Sequence, residues 1–260
     1  MAQLITKKEN AVGWMIFSNP TKLNAATYDM WKAVPGALAT FDADPEVRVI
    51  VITGDGDRAF VSGADISQID AARASAQAQA KFDSAVAEAY VAPEMCTKPV
   101  IARIRGVCMG GGLGLAAACD VRIAAADAIF RMPAARLGLG YNFIGIRRFV
   151  QLMGQANTAD IFYSARKFDA AEAKDMGFLN RVVPVTELDR EVAAYCALVA
   201  DNAPLTIAAA KFTIRQTGED EDTRDLHQVQ RMNEACYASE DFAEGSTAYV
   251  QKRRPNFKGR

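Results

Sequence analysis

The feature that most constrains this chain is a run of three consecutive glycines, residues 110–112, between an apolar segment and a stretch of small residues. Residues 99–104 are apolar enough to form a buried strand, and residues 113–119 suit a closely packed helix. Glycine allows positive φ and lets another group approach the backbone closely. The pattern predicts a strand, a sharp turn and a helix in direct succession.

A helix that begins directly after these glycines exposes its first N–H groups and the positive end of its dipole. Such a helix end can hold a negatively charged oxygen with backbone atoms alone. The alternative is a tight, well-packed turn that binds nothing. The glycine run by itself leaves both interpretations open.

Composition excludes several classes of function. The chain has 260 residues, of which 50% are hydrophobic, so one large domain with a sizeable core is expected. The formal net charge of −1 gives no field that attracts nucleic acid or an anionic membrane. The five cysteines form no CxxC pair, and His227 is the only histidine, so neither zinc nor triad chemistry is indicated. We expect a cytoplasmic protein, because no secretory signal or membrane span is recognisable.

Strands and helices alternate up to about residue 180, and helices dominate afterwards. The clearest strand is predicted over residues 47–53. Thr27 is expected to cap a helix that runs towards Asp44, in which Pro35 either kinks the helix or marks an irregular turn. The alanine-rich residues 67–92 predict a helix with a weak apolar face, either a lid over a pocket or a plain surface helix. We therefore predict a mixed α/β core followed by a helical region.

Four motifs then carry a family resemblance. They are Asn-Pro-Thr-Lys-Leu-Asn-Ala at 19–25, Ala-Phe-Val-Ser-Gly-Ala-Asp-Ile at 59–66, the glycine-run segment at 98–120, and Ala173 with Gly-Phe-Leu-Asn-Arg-Val-Val at 177–183. In this order they resemble the crotonase, or enoyl-CoA hydratase/isomerase, superfamily over about residues 4–257. The resemblance implies a spiral core of ββα units over residues 1–200 and a C-terminal helical trimerisation region over residues 201–260. It also implies a homotrimer or hexamer that acts on acyl-CoA thioesters, with coenzyme A as part of the substrate and no separate cofactor.

The resemblance assigns roles to particular residues. The N–H groups of Ala64 and Gly111, in the turns at Gly63 and Gly110, are expected to hold the thioester oxygen and stabilise an enolate. The other residues expected to contact the substrate are Lys22, Asn24, Ala25, Asp65, Ile66, Arg136, Lys252 and Phe257. Asp65 has a second interpretation, as a carboxylate that only fixes its loop, and the C-terminal residues have one as a solvated basic tail.

The departures from the family pattern concern acid–base chemistry. The two glutamates that hydratases of this family use fall at Gly114 and Ala134 in this chain, and neither residue can move a proton. Residues 137–146 and 239–257 are instead similar to methylmalonyl-CoA decarboxylase members, which carry a tyrosine at the position of Tyr141. Decarboxylation suits these changes, because the leaving carboxylate supplies the electrons and no base is needed.

These residues favour an acyl-CoA lyase that decarboxylates a short carboxyacyl-CoA. Tyr141 is the candidate catalytic side chain, which hydrogen-bonds the acyl group or donates a proton; the alternative is a packing aromatic. One alternative is an enoyl-CoA hydratase or isomerase whose acid or base is displaced, for example to Glu88 or Glu94. The other is a non-catalytic paralogue that binds acyl-CoA.

Overall fold

The computed structural model describes residues 1–65, 67–68 and 75–260. The strands in these ranges are β1 (Gln3–Glu9), β2 (Val12–Ser18), β3 (Val49–Gly54), β4 (Ala59–Val61), β5 (Val100–Ile104), β6 (Val107–Met109), β7 (Val121–Ala125), β8 (Ile129–Arg131), β9 (Lys167–Asp169) and β10 (Arg181–Val183). The helices are α1 (Tyr28–Ala43), α2 (Ala76–Met95), α3 (Gly111–Ala118), α4 (Ala134–Leu137), α5 (Phe143–Ser164), α6 (Ala170–Asp175), α7 (Leu188–Ala200), α8 (Pro204–Thr217), α9 (Leu226–Tyr237) and α10 (Glu240–Gln251).

The strands form two sheets. The larger has six strands in the order β1-β2-β3-β5-β7-β10, and the smaller has four in the order β4-β6-β8-β9. The β1–β2 and β8–β9 pairs are antiparallel, and the other pairs are parallel. The parallel arrangement requires crossover connections, which the helices and the passages between sheets provide.

Successive segments of the chain repeat one pattern. Strands β3, β5 and β7 lie in the large sheet, and the strand after each of them, β4, β6 and β8, lies in the small one. A helix follows, α3 after β6 and α4 after β8. These are the expected ββα units, so the α/β spiral core is confirmed. The boundary at residue 200 and the trimerisation role of the later helices stay predictions.

The large sheet is covered on both faces. Ile50 and Ile52 of β3 pack in the main core, whereas Val49 and Val51 pack with Val192 of α7 in a second, smaller cluster. A strand buried on both sides reads as a continuous apolar run rather than an alternating one. Burial on both faces is the reason that residues 47–53 form the continuous apolar run from which a strand is predicted.

The central glycine segment contains one more strand than the sequence predicted. Between the first strand, β5, and the helix, α3, the chain turns at Gly106 (φ +62°) and adds β6, which carries it into the small sheet. A Cβ on Gly106 would lie 2.1 Å from the carbonyl oxygen of Arg58, so the turn cannot accept a side chain. The prediction missed β6 because it is only three residues long.

The predicted helices need smaller corrections. Thr27 caps α1 as expected by accepting from Met30 N at 3.3 Å, but the helix continues through Pro35. Helix α2 begins at Ala76 after the Ser75 cap and passes Pro93, so its described part ends later than residue 92. Residues 66 and 69–74, on which part of the helix prediction falls, lie outside the described residues. Within these ranges, no single helix is long and apolar enough to span a membrane. One pair of helices, Val185–Ala200 and Pro204–Thr217, has the necessary length and composition when taken together, but the two are bent by 104° relative to each other.

Candidate functional site

A cavity of about 710 Å³ opens between α1, α2, the start of α3 and residues 137–142. Its wall combines two backbone turns, aromatic rings and a few polar side chains. The lining includes Ala64 and Gly111 from the turns, Trp31, Phe82, Tyr90 and Tyr141 among the aromatic residues, and Gln79, Asp83 and Asn142 among the polar ones. A concave site that combines aromatic walls with a small number of polar groups is typical of small-molecule binding.

Two backbone amides meet on this wall. Ala64 follows Gly63, whose φ of +121° is accessible to glycine, and the hydrogen bonds from Ala26 N to Gly63 O (2.8 Å) and from Asp65 N to Ala26 O (2.9 Å) fix the turn. Gly111 is the first residue of α3, where N–H groups have no partner inside the helix. Neither the Ala64 nor the Gly111 N–H donates to an acceptor in the part of the chain that the structure describes. Both amides are therefore available to a ligand.

The ring of Trp31 leaves little room for a side chain at residue 111, because a Cβ there would lie 3.0 Å from that ring. The same Cβ would lie 3.6 Å from Ala64 N, so the two turns are close together. The arrangement can thus hold one oxygen atom between two donors, as an oxyanion hole does.

The position of the first missing glutamate is filled by another residue. Tyr90 of α2 is 5% exposed, and a Cβ on Gly114 would lie 2.4 Å from its hydroxyl oxygen. The Tyr90 hydroxyl donates to the carbonyl oxygen of Gly111 at 3.1 Å, and its ring meets that of Trp31 edge-on. A phenol therefore occupies the space that a side chain at residue 114 would need.

The second missing glutamate has no replacement of the same kind. Ala134 begins α4 and is buried, and its carbonyl oxygen accepts from Leu139 N at 3.0 Å. Its methyl group cannot exchange a proton. The structure thus leaves both positions without an acid or base.

Tyr90 and Tyr141 form a hydrogen-bonded pair in the cavity wall. Their hydroxyl oxygens are 3.3 Å apart, and the Tyr141 ring packs edge-on against Phe162. Burial raises the pKa of Tyr141 to about 12, although the hydrogen bond with Tyr90 opposes this. Burial, together with the proximity of Tyr141, raises the pKa of Tyr90 well above its usual 10. Both phenols are therefore protonated and uncharged at neutral pH.

Within the described ranges, Asp83 is the carboxylate in the cavity lining. It is exposed, one turn from Gln79 on α2, and accepts a hydrogen bond from the Gln79 side chain at 2.8 Å. The two glutamates suggested from the sequence lie elsewhere. Glu88 lines a different cavity, and Glu94 forms ion pairs with Arg147 and Arg148. Sequence reasoning missed both Asp83 and Tyr90, because only the packing of α2 against α3 brings this helix face to the glycine turn.

The predicted coenzyme A segment lies next to the first turn. Lys22 Nζ donates to Asp65 Oδ2 at 2.6 Å, and the hydrogen bonds of Asp65 with Lys22 and Ser67 lower its pKa, although burial opposes this. Asn24 is buried, and its side chain donates to the carbonyl oxygens of Asp55 and Ala59 at 2.9 Å. The Asn24 side chain therefore holds the loop. Lys22 remains half exposed, and Ala25 follows Asn24 in the same loop.

The remaining predicted substrate contacts are not brought to this cavity. Arg136 is exposed on α4 and does not line it. Lys252 is exposed beyond α10, and Phe257 lines a separate cavity among the C-terminal helices. Ile66 lies outside the described residues. Within one chain, the predicted substrate-contacting residues that lie at or beside this cavity are therefore those of the two turns and of the neighbouring loop.

Helix α3, which presents Gly111, is held at its other end by Arg122. This guanidinium is 2% exposed and donates to the carbonyl oxygens of Cys119 and Phe178, both at 2.6 Å. A cation at a helix C-terminus complements the helix dipole. Arg122 thereby fixes the orientation of the helix whose first amide faces the cavity.

Among residues 1–65, 67–68 and 75–260, no three His, Cys, Asp or Glu side chains cluster as a metal site requires.

Comparison with known sequences identifies relatives along the full length of the chain. The sequence pattern of the family described as enoyl-CoA hydratase/isomerase matches residues 7–260. The peroxisomal Delta(3,5)-Delta(2,4)-dienoyl-CoA isomerase of Arabidopsis thaliana is 33% identical, with 96% of this chain and 93% of that protein covered. The crotonyl-CoA hydratase of Syntrophomonas wolfei is 32% identical, with 98% and 97% covered.

Solved structures show the same architecture. An enoyl-CoA hydratase/carnitine racemase from Magnetospirillum magneticum superposes with a TM-score of 0.94 at 31% identity, covering 100% of this chain and 97% of that one. An enoyl-CoA hydratase/isomerase family protein from Hyphomonas neptunium superposes with a TM-score of 0.92 at 34% identity, covering 99% and 98%. Fold and sequence similarity therefore coincide over the whole chain.

Proposed function

The chain belongs to the enoyl-CoA hydratase/isomerase family, and on that premise we propose that it decarboxylates a short carboxyacyl-CoA. The family membership makes it an enzyme of acyl-CoA thioesters. The choice of reaction rests on this chain's own residues, since the two relatives described above are named as an isomerase and a hydratase. The observation that carries the choice is the phenol of Tyr90 in the space of a side chain at Gly114.

The thioester oxygen binds between the N–H groups of Ala64 and Gly111. When the bond between the α-carbon and the carboxylate breaks, its electron pair forms the enolate and carbon dioxide leaves. The negative charge develops on the oxygen that the two amides hold, where fixed donors stabilise it by several kcal/mol. No base takes part in this step, so the absence of glutamates at residues 114 and 134 does not impede it.

The enolate must then take up one proton at its α-carbon. Tyr141 lines the cavity, and its phenol is protonated at neutral pH because the usual pKa of tyrosine is about 10. The O–H bond of Tyr141 breaks as the new C–H bond forms, the thioester carbonyl is restored, and the phenolate recovers a proton from solvent. The balance is one carboxylate and one proton consumed, with one carbon dioxide released.

Asp83 favours a second candidate, enoyl-CoA hydration or isomerisation with a displaced acid or base. Among the residues that the structure describes, it is the carboxylate that lines the same cavity as Ala64 and Gly111. Hydration and isomerisation need a group that takes a proton from water or from the substrate, which a carboxylate can do and a neutral phenol cannot do readily. In this candidate Asp83 does the work of the missing glutamates.

The deciding experiment offers the protein methylmalonyl-CoA, crotonyl-CoA and a 3-enoyl-CoA and follows the products by mass spectrometry and chromatography. Loss of carbon dioxide from methylmalonyl-CoA is the expected result. Rapid hydration or isomerisation that is lost in Asp83→Asn, but kept in the matched α2 variant Glu88→Gln, would replace the proposal by the second candidate. Binding without turnover of any of the three thioesters would instead favour a non-catalytic paralogue.

We also propose that the chain forms homotrimers or hexamers in the cytoplasm. Support comes from apolar side chains left exposed on α10, where Phe242 is 53%, Tyr249 87% and Val250 79% exposed. Exposed apolar residues of this size commonly mark an interface. Light scattering coupled to size-exclusion chromatography measures the mass directly, and a monomer at working concentration would contradict this proposal.

A further inference from the structure

The proposed substrate brings a carboxylate into the cavity, and the cavity wall offers it no cation. Among the described residues, no lysine or arginine lines this cavity, and the charged side chain in the lining is Asp83, itself a carboxylate. Arg136, the cation that the sequence predicted as a substrate contact, is exposed on α4 and does not line the cavity. The substrate carboxylate must therefore be held by neutral hydrogen-bond donors.

Most of the side-chain donors in the wall already have another task. The hydroxyl of Tyr90 donates to a backbone carbonyl at 3.1 Å, and Gln79 gives one of its two amide hydrogens to Asp83 at 2.8 Å. The hydroxyl of Tyr141 supplies the proton in the proposed reaction. The indole nitrogen of Trp31 is buried, so a ligand does not reach it. These groups leave little to bind a second anionic group.

The side chain of Asn142 is the exception. It lines the cavity, and as the N-cap of α5 it accepts from Gly145 N through Oδ1 at 2.8 Å. This bond turns the amide oxygen towards the helix, so the Nδ2 group points away from the first turn. Within the described ranges Nδ2 donates to no protein acceptor, and both of its hydrogens stay free. The helix cap therefore fixes a neutral donor in the cavity wall.

A neutral donor suits the loss of carbon dioxide better than a cation does. In the ground state the negative charge lies on the carboxylate, and in the transition state it moves towards the thioester oxygen. A guanidinium paired with the carboxylate would stabilise the ground state more than the transition state and would raise the barrier. An amide holds the carboxylate less tightly but still restricts its rotation, which helps to keep the breaking bond aligned with the π system of the thioester.

We propose that Asn142 binds the substrate carboxylate through its Nδ2 hydrogens and makes the site selective for carboxyacyl-CoA thioesters. The inference rests on the proposed function, in which the substrate carries this carboxylate while its thioester oxygen lies between the N–H groups of Ala64 and Gly111. Two neighbouring residues then divide the work, because Asn142 holds the leaving group and Tyr141 protonates the enolate.

The test removes the donor but keeps the helix cap. Asn142→Asp retains an oxygen for Gly145 N, because aspartate caps a helix as well as asparagine does, and it replaces Nδ2 by a second anionic oxygen. We expect kcat/KM for methylmalonyl-CoA to fall about 10–100-fold, the range for loss of a hydrogen bond to a charged group. The dissociation constant of propionyl-CoA, which lacks the carboxylate, should be unchanged. The matched control Asn202→Asp, exposed beyond α7 and outside the cavity, should alter neither value.

Other outcomes separate this inference from the proposed reaction. An unchanged kcat/KM in Asn142→Asp overturns the inference, and so does an equal loss for both thioesters, which would show general damage to the site. If the wild type binds methylmalonyl-CoA without turning it over, the proposed reaction is overturned. The dissociation constants of methylmalonyl-CoA for the wild type and Asn142→Asp then test the inference alone, and equal values overturn it. A wild type that binds neither thioester overturns both proposals.

A second variant covers the case in which Asn142→Asp fails to fold. Asn142→Ser also caps a helix but has no amide hydrogens. We expect it to lose methylmalonyl-CoA selectively, as Asn142→Asp does, and unchanged selectivity between the two thioesters overturns the inference.

Discussion

The hydroxyl of Tyr90 and a side chain at Gly114 compete for the same space, since a Cβ on Gly114 would lie 2.4 Å from the phenol oxygen and 2.5 Å from the ring carbon that bears it. Residue 114 is therefore glycine for a packing reason as well as a chemical one. A larger side chain at residue 114 would have to displace the Tyr90 ring. The site therefore presents an uncharged phenol at the position where the family resemblance implies a carboxylate.

This competition predicts a change of sign in a double-mutant cycle. Gly114→Ala should destabilise the wild type by about 1–3 kcal/mol, because the methyl group overpacks against a rigid ring. In a Tyr90→Ala background the same substitution should be neutral or stabilise by up to about 1 kcal/mol, since alanine is the better helix former once the space is open. Denaturant unfolding of the four proteins measures both steps. Equal costs of Gly114→Ala in the two backgrounds would contradict the competition.

The second prediction concerns the amide of Gly111. Gly111→Ala places a methyl group 3.6 Å from Ala64 N, in the space proposed for the thioester oxygen. We expect turnover to fall by about 10²–10³-fold, the range associated with loss of an oxyanion donor, while the protein still folds. Gly36→Ala is the matched control, because a Cβ there meets nothing within 4 Å and Gly36 is exposed on α1. Steady-state kinetics of both variants decide the point, and a Gly111→Ala enzyme of normal activity would refute the proposed hole.

The sequence predicted the backbone half of the site better than its side chains. Gly63, Ala64 and Gly111 are marked by motifs that lie within short segments, and the structure brings the two turns together in one cavity wall. Tyr90 escaped notice because its partners are distant in sequence; Gly111 lies 21 residues further along the chain. It also lies on an alanine-rich helix with a weak apolar pattern, which identifies no inward face.

The same contrast holds for the fold. β3 was evident because both of its faces are buried, which makes it apolar throughout. β1 was missed because most of its residues are exposed at the edge of the large sheet, where polar side chains such as Lys7 and Lys8 conceal the strand pattern. Short strands of three residues, such as β9, carry too few positions for any periodicity to show. These missed strands form because they pair with strands of the sheet, and this pairing leaves no pattern in their own residues.

The third prediction concerns the support of α3. Arg122→Met removes the donors to Cys119 O and Phe178 O and leaves both carbonyl groups buried without those partners. Cys119 O keeps a longer bond from Arg148 at 3.4 Å, whereas Phe178 O loses its donor. An unsatisfied buried carbonyl costs about 1–3 kcal/mol, so we expect a loss of at least that size in the free energy of unfolding. The exposed Arg254→Met should change stability by less than about 0.5 kcal/mol. Urea unfolding of both variants tests this, and a near-neutral Arg122→Met would mean that other donors replace the guanidinium.

The last prediction concerns pH. An unfolded tyrosine ionises near its usual pKa of about 10, whereas burial keeps Tyr141 protonated in the folded state up to a pKa of about 12. Between these values the unfolded chain binds fewer protons than the folded one, so the stability contributed by Tyr141 is full below about pH 10 and is lost as the pH rises towards 12. Tyr141→Phe removes the ionisable group and should flatten the fall in stability over this window. Phe41→Leu, a core variant on α1, should instead lower stability at every pH without changing the slope. Urea midpoints measured at successive alkaline pH values separate the two behaviours, and an equally steep fall in Tyr141→Phe would show that the phenol is not held neutral by burial.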